Sequence, residues 1–368
     1  MYLFVSKDCM EITIIGAGSS GLIAARGLAR LGISVKVLER KSAIKPIYSS
    51  SGILSHSGLE SLKINYKKCV LNKLYGAKIH FPGVTLHIRS TKVQAYIVDR
   101  TKLANELYEE AVASGANVEF SHSVTKGEMG KLNGILVGAD GAASQVASYF
   151  KFPPIKRFVL TYRAEYKARE NIGDEVEIFF DNNVTKGFFG WIAPHGDNIE
   201  LGAGIDEKYG KSTDAFRKFV ASSSVRKMIE GKPIVEGAGI IPVSLRSRFV
   251  DEERRVVLVG DAAGQVKSST GGGIIFGGNA SLVAARAISN YIQGDGRLED
   301  YQRAWLSTFG NDIRMHNLIR NIYSSLSNSG LYLFAKTAKS LGIERFLSRY
   351  GDMDRPSLIL KRLIFRKA

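Results

Sequence analysis

Apolar positions along this chain change their period several times, and the changes mark its elements. Residues 11–40, EITIIGAGSSGLIAARGLARLGISVKVLER, open with a short apolar run, pass through a glycine-rich turn into an alanine-rich stretch, and end in a second apolar run. That order predicts a strand, a tight turn, a helix and a parallel strand, a βαβ unit of about 30 residues. Short alternating segments follow (GAKIHF, VTLHIRS, QAYIVDR), then a helical pattern over TKLANELYEEAVASG that stops at Gly115, then NVEF and the apolar strand GILVGADG. From about Lys151 the strands lengthen: FVLTYRAEYKA, EVEIFFDN, GFFGWIAP and NIELGAGI. Alternation of this length predicts an antiparallel sheet, which is not how a doubly wound domain continues. A helix is expected over STDAFRKFVASSSVRKMIEG, and RRVVLVGDAAG then returns to a buried strand of the parallel kind. The sheet begun at residue 11 should therefore be completed after an antiparallel insertion, with residues 297–368 mostly helical.

Three turns carry the candidate chemistry. GAGSSG, Gly16 to Gly21, has the strand before it and the helix after it that a dinucleotide site requires. Gly16 permits the tight turn, Gly18 lets backbone approach a pyrophosphate, and Gly21 lets helix and strand lie close, with Ser20 beside them at the helix entrance. The N–H groups of that helix N-terminus face the phosphates. Glu39 ends the second strand 23 residues beyond Gly16, where a carboxylate can accept both ribose hydroxyls. An acidic residue there repels a 2′-phosphate, so the dinucleotide is FAD or NAD rather than NADP. The second turn is Asp140-Gly141 in GILVGADGAASQV, and the third is Gly260-Asp261 in RRVVLVGDAAG. After the third comes VKSSTGGGIIFGGNAS, with five glycines in the eight positions from Gly271 to Gly278 just before a helix. Glycine in a helix interior costs about 1 kcal/mol relative to alanine, so these positions need a bare backbone.

In this order, with an antiparallel insertion between the last two, the turns resemble those of the flavoprotein hydroxylase-like superfamily with the p-hydroxybenzoate hydroxylase fold. Within it the chain is most similar to the geranylgeranyl reductase family of isoprenoid double-bond reductases, over roughly residues 11–300. GDAAGQVKSSTGGGI is the most family-specific stretch, and FFGWIAP resembles the reductases' aromatic-x-Trp-x-aromatic-Pro signature, with Ala193 where an aromatic is usual.

The resemblance implies an α/β fold. A discontinuous Rossmann-like FAD-binding domain would cover 10–85, 96–150 and 251–296, and an antiparallel substrate domain 86–95 and 151–250, with a helical region over 297–368. It implies FAD as cofactor, held by Glu39 at the adenosine ribose, Arg100 in YIVDR and Asp261 at the ribityl chain. Arg40, Val124, Asp140 and Gly141 would complete the cofactor contacts. Gly271, Gly272, Gly273 and Ile274 would lie against the flavin ring, whereas Gly277 and Gly278 read as close helix packing or room for substrate. Phe189, Trp191 and Pro194 read either as an apolar lining for a prenyl chain or as core aromatics. The loop KPIYSSSGIL lacks the cysteine that the reductases often carry near the flavin, leaving Tyr48, Ser50, His56 or ordered water as proton donor. A further departure is Ala147, where the Asp-Gly motif usually ends in arginine.

Charge and composition narrow the partners. The formal net charge of +16 suggests an anionic partner, and from Lys336 onward nine Lys or Arg stand against three Asp or Glu. The last twelve residues, SLILKRLIFRKA, read as an amphipathic helix that lies on a lipid surface or packs on the core. A substrate of the prenyl lipid, prenyl diphosphate or prenylquinone class is expected. With a single GxGxxG the electron donor stays open between a nicotinamide and a ferredoxin. The alternatives are a single-component flavin monooxygenase or halogenase, and a prenyl-lipid binding protein that has lost catalysis. No basic-aromatic motif supports nucleic acid, and the six histidines show no HxxxH or HExxH spacing for a metal. Cys9 and Cys69 form no disulfide framework, so a reducing cytoplasmic location is expected, with peripheral contact at the inner face of a membrane.

Overall fold

The computed structural model describes residues 10–170 and 172–359. Its strands are β1 (Ile12–Ile15), β2 (Val35–Leu38), β3 (Ile53–Ser55), β4 (Val70–Leu74), β5 (Gly76–Phe81), β6 (Val84–Arg89), β7 (Ala95–Val98), β8 (Asn117–Glu119), β9 (Ile135–Gly138), β10 (Phe158–Ala168), β11 (Glu175–Phe179), β12 (Gly190–His195), β13 (Asn198–Asp206), β14 (Ile229–Pro242), β15 (Val250–Asp251) and β16 (Val256–Leu258). The helices are α1 (Ser19–Ala29), α2 (His56–Leu62), α3 (Arg100–Ala113), α4 (Lys126–Met129), α5 (Gln145–Tyr149), α6 (Ser212–Ala221), α7 (Ser223–Arg226), α8 (Ile274–Gln293), α9 (Glu299–Ser325), α10 (Asn328–Ser340) and α11 (Ile343–Tyr350).

The first sheet has the order β15-β16-β9-β1-β2-β8 and is parallel except for β15. Every residue of β1, β9 and β16 is buried, as parallel strands covered on both faces must be. The chain leaves β1 toward β2 on one side and later returns to β9 on the other, so the carboxyl end of β1 is a topological switch point, where such sheets bind ligands. Helices α1 and α8 pack face to face on this sheet through small residues: a Cβ on Gly277 would strike Ser20, and one on Gly278 would strike Leu62 and Ile23. The glycines of the last two positions in the run are thus packing residues.

The second sheet, β14-β10-β13-β12-β11-β5-β6, is antiparallel except where β5 meets β11. Along β12 the pleat sends Ile192 to one face, under Phe216 and Phe219 of α6, and Trp191 to the other, with Phe188, Phe189 and Val159. One face is therefore sealed by a helix, and the other looks toward the parallel sheet. A small sheet, β3-β7-β4, lies in the first half of the chain.

Two expectations are corrected. The boundary placed at residue 86 is too late, because β5 already belongs to the antiparallel sheet, paired with β6 and with β11. The helix expected to run to Gly231 ends in α7 at Arg226, and Ile229 begins the 14-residue strand β14, whose glycines hide it from a propensity reading. Residues 360–368, most of the expected amphipathic terminus, and Cys9 lie outside the described residues.

Candidate active site

Four of the expected residues gather at the carboxyl ends of the parallel strands. Gly16 follows β1, Glu39 follows β2, Asp140 lies just beyond β9 and Asp261 just beyond β16. The three glycines of the first turn differ in what a side chain would meet. Gly16 has φ +106° and its Cβ would lie 2.5 Å from the Ala139 carbonyl, and a Cβ on Gly21 would run into the Gly16 carbonyl. At Gly18 a Cβ would meet nothing within 4 Å. The first and third are thus required by the fold, and the second keeps free space clear at the N-terminus of α1.

That space opens into a cavity of about 340 Å³ lined by Gly16, Gly18, Ser19, Glu39, Arg40, Val124, Asp140 and Gly141. Glu39 is fixed by two backbone donors, Ala17 N–H to Oε2 at 2.8 Å and Lys41 N–H to Oε1 at 2.9 Å, and each oxygen keeps a lone pair for a ribose hydroxyl. Arg40 is exposed at the rim, and buried Val124 and Met129 give the cavity an apolar wall. Ser20 belongs elsewhere: its Oγ sits against Gly260 and Gly277, and Ser19 takes its expected place in the lining.

A second cavity of about 530 Å³ abuts the first at Ile47 and the 140–143 turn. It is lined by Arg100, Asp261, Gly271, Gly272, Gly273 and Ile274 on one side and by Phe188, Phe189, Trp191 and Ile178 on the other. Arg100 opens α3 and donates to Ser19 Oγ at 3.3 Å, while its buried Nε and Nη1 have no partner. Burial pushes its guanidinium down to about 10, and the Asp261 charge opposes the shift. Burial likewise pushes the Asp261 carboxyl up to about 6. Asp140 accepts from Gln145 and Val146 N–H at 2.7 and 3.0 Å through Oδ2, leaving buried Oδ1 without a partner. Unsatisfied buried polar atoms carry a cost of about 1–3 kcal/mol each, and here they border the two joined cavities. An extended dinucleotide with a ribose, a pyrophosphate, a polyol chain and a flat ring fits this donor and acceptor set.

The substrate-side residues divide. Trp191 donates its indole N–H to Glu200 Oε1 at 2.8 Å, and Glu200 is fully buried and paired through Oε2 with Arg163 at 2.6 Å. Across β13, Gly202 faces Trp191 in register, and any Cβ there or at Gly204 would collide with the Trp191 or Phe188 ring. The GxG of β13 thus lets the two rings lie flat on the sheet. Phe188 and Phe189 stack at 4.1 Å between centroids. Pro194 is buried in β12 against Ile199 and does not line the cavity.

Of the three proton-donor candidates only Ser50 lines the cavity. Tyr48 turns outward, because its carbonyl is held at 2.6 Å by Arg163 Nε and lies against Gly237 of β14, and its side chain is 44% exposed. His56 is exposed at the start of α2, 3.2 Å from the Tyr96 hydroxyl. Cys69 is no substitute for the missing loop cysteine, since burial pushes its thiol up to about 11.

Sequence reasoning missed a buried network at the far wall. Lys267, in the cavity lining, is ion-paired with Asp354, whose other oxygen accepts from Ser55. Burial works against the Asp354 charge, yet the Lys267 ammonium and Ser55 hydroxyl outweigh it and hold the carboxyl below its usual range. His316 hydrogen-bonds Ser269 Oγ at 2.7 Å and lies 3.3 Å from the Asp354 carbonyl; burial pushes it down to about 4, so it is neutral. Arg355 and Ser357 hold Asp312 of α9 at 2.7 and 3.0 Å, which straps the 351–357 segment across the site with Met353 in the cavity wall. A charged residue inside the serine- and glycine-rich run was the one signal available for Lys267. Among the described residues no cluster of three or more His, Cys, Asp or Glu could hold a metal ion.

An uncharacterized protein of Methanocaldococcus jannaschii is 29% identical, covering 98% of this chain and 96% of its own length. The digeranylgeranylglycerophospholipid reductase of Methanosarcina acetivorans is 28% identical over 92% of this chain and 90% of its own. Among solved structures, a geranylgeranyl bacteriochlorophyll reductase-like protein from Thermoplasma acidophilum superposes with a TM-score of 0.80 at 17% identity, covering 97% of this chain and 96% of that one. A flavin-dependent brominase superposes with a TM-score of 0.66 at 16% identity over 97% and 99%. The sequence profile of the FAD binding domain family matches residues 9–304; this chain belongs to that family and is an FAD-dependent oxidoreductase with the p-hydroxybenzoate hydroxylase-like fold.

Proposed function

We propose that the chain hydrogenates isolated C=C bonds of a prenyl lipid or prenyl diphosphate. The observation that carries this reading is the aromatic half of the larger cavity, set opposite Gly271–Gly273 and closed behind by Phe188, Phe189 and Trp191. FAD, once reduced, supplies a hydride. The protein's part is to hold a flexible apolar chain still, keep water out and ease the charge that develops on the substituted carbon. Ile178, Ile240 and Ile241 add to the apolar lining, so a chain with no polar handle finds contact along the wall. The faces of Trp191 and Phe189 can stabilise a developing cation by about 1–2 kcal/mol in a dry site. Glu200 on the indole N–H fixes that ring and polarises it in the favourable sense. Of Tyr48, Ser50 and His56, Ser50 is the one on the cavity wall, beside Ser49 and Ser51, and we assign it the proton transfer. Similarity to digeranylgeranylglycerophospholipid reductases supports the same class of substrate.

The test is anaerobic. Dithionite-reduced protein incubated with a geranylgeranyl lipid should yield products heavier by one H₂ per reduced bond. Unchanged lipid mass overturns the reading. In a parallel aerobic assay with NAD(P)H, oxygen consumption with an oxygenated or halogenated product would assign the site to the chemistry of the brominase-like neighbours.

A further inference from the structure

The end of the chain carries an apolar surface that the active site does not use. Of the sixteen large apolar side chains exposed among the described residues, seven lie between Leu318 and Leu341. Leu318, Ile319 and Ile322 mark the last turns of α9, and Tyr332, Leu333 and Phe334 the exposed side of α10, with Leu333 62% exposed. Such residues cluster on a soluble surface where something covers them. The charge around them is mostly positive. From residue 313 to 343 there is no Asp or Glu; Arg314 and Lys336 are exposed among the apolar positions, Lys339 is also exposed but lies 3.9 Å from Glu344, and Arg345 and Arg349 follow on α11. Arg320 takes no part, since it is buried against Asp206.

A row of rings ties this surface to the cavity. Phe334 meets Phe81 edge-on at 6.1 Å, Phe81 stacks on Phe180 at 5.0 Å, and Phe180 meets Phe189 of the cavity wall at 5.6 Å. Tyr323 of α9 closes on Phe180 at 5.0 Å. No helix among the described residues is long and apolar enough to cross a membrane.

We infer that the end of α9 together with α10 docks on an anionic lipid surface, apolar side chains among the headgroups and the basic residues on their phosphates. The occupant is a lipid bilayer rather than a protein because apolar positions flanked by Arg314, Lys336, Arg345 and Arg349, an excess of exposed cations, suit an anionic interface. The aromatic row then marks the side from which a prenyl chain reaches Trp191, a second step that rests on the proposed reductase function.

Sedimentation of the full-length, FAD-loaded protein with vesicles tests it. Binding to phosphatidylglycerol–phosphatidylcholine vesicles at low salt is expected, with at least about tenfold weaker binding to pure phosphatidylcholine or at 0.5 M salt. The double variant Ile322→Glu, Leu333→Glu should lose at least about tenfold in vesicle binding while keeping flavin content and turnover of a detergent-dispersed prenyl substrate. Undiminished vesicle binding by the variant overturns the inference. So does sedimentation velocity showing a wild-type dimer that the variant dissociates, which would assign the face to a second copy of the chain. If vesicle binding behaves as expected but no alkene is reduced, only the reductase reading fails.

Discussion

Replacing Asp261 by Asn should move folding stability and flavin affinity in opposite directions. Burial pushes the Asp261 carboxyl from its ordinary 3.8 up to about 6, against the pull of the Arg100 charge. Between those values the folded chain binds more protons than the unfolded one, so native stability falls as pH rises through roughly 4 to 6. Above pH 6 the full cost is in place, on the order of 3 kcal/mol for a shift of about two units. Asparagine has no charge to desolvate. Flavin-free Asp261→Asn should therefore be more stable than wild type by up to about 3 kcal/mol at pH 8, with the gap closing toward pH 4. The bound state reverses the sign. A ribityl hydroxyl donating to the carboxylate makes a charge-assisted hydrogen bond worth about 1.5–3 kcal/mol, so FAD affinity should fall by roughly 10- to 100-fold at pH 8. Urea unfolding of the flavin-free proteins at pH 8 and pH 4, and FAD titration followed by fluorescence quenching, read the two effects separately. A variant no more stable than wild type at pH 8 would show that the carboxylate carries no desolvation cost. Unchanged FAD affinity would show that it does not face the cofactor.

Three further substitutions separate fold from function. Gly18→Ala meets open space and should leave flavin-free stability within about 0.5 kcal/mol, yet weaken FAD at least tenfold by obstructing the pyrophosphate, as titration would show. Gly202→Ala drives a methyl group into the Trp191 indole, so flavin content should persist while turnover of long prenyl chains drops at least tenfold; normal kinetics would return Trp191 to a purely structural role. Asp354→Ala strands buried Lys267 and should cost about 3–5 kcal/mol in urea unfolding at pH 7, whereas Lys267→Met with Asp354→Leu should recover most of it. Because the Asp354 carboxyl lies below its usual range in the folded protein, the stability it contributes is present above its unfolded pKa and lost as pH falls through the folded one. The single-variant penalty should accordingly shrink below about pH 4.

What could be read in advance was what the backbone makes at a turn. Gly16, Gly18, Gly21, Glu39, Asp140 and Asp261 each sit within a few residues of the end of a parallel strand, so strand, turn and residue type are all present in one short window. The substrate wall has no such window. It draws on the serine loop at 49–51, β10, β11, β12, β14, the glycine run and Met353, and one-dimensional spacing does not say which of these meet. Loop 45–52 shows the difficulty: Tyr48 looked available for proton transfer, but Arg163 and the glycines of β14 hold its backbone against the sheet and turn its side chain away. Those same glycines made β14 illegible as a strand. They are there because Tyr48 and Ser49 backbone atoms come close to Gly237 and Gly239, so the feature that hid the strand is the feature that seats the loop. Lys267 and Asp354, 87 residues apart, needed the whole chain to be placed. Glu200 was half legible. It is the one charged residue inside the apolar strand NIELGAGI, and a carboxylate in a buried strand must find a donor. One donor, Trp191, is nine residues back in the adjoining strand, whereas the other, Arg163 of β10, is 37 residues away and had to be placed by the fold.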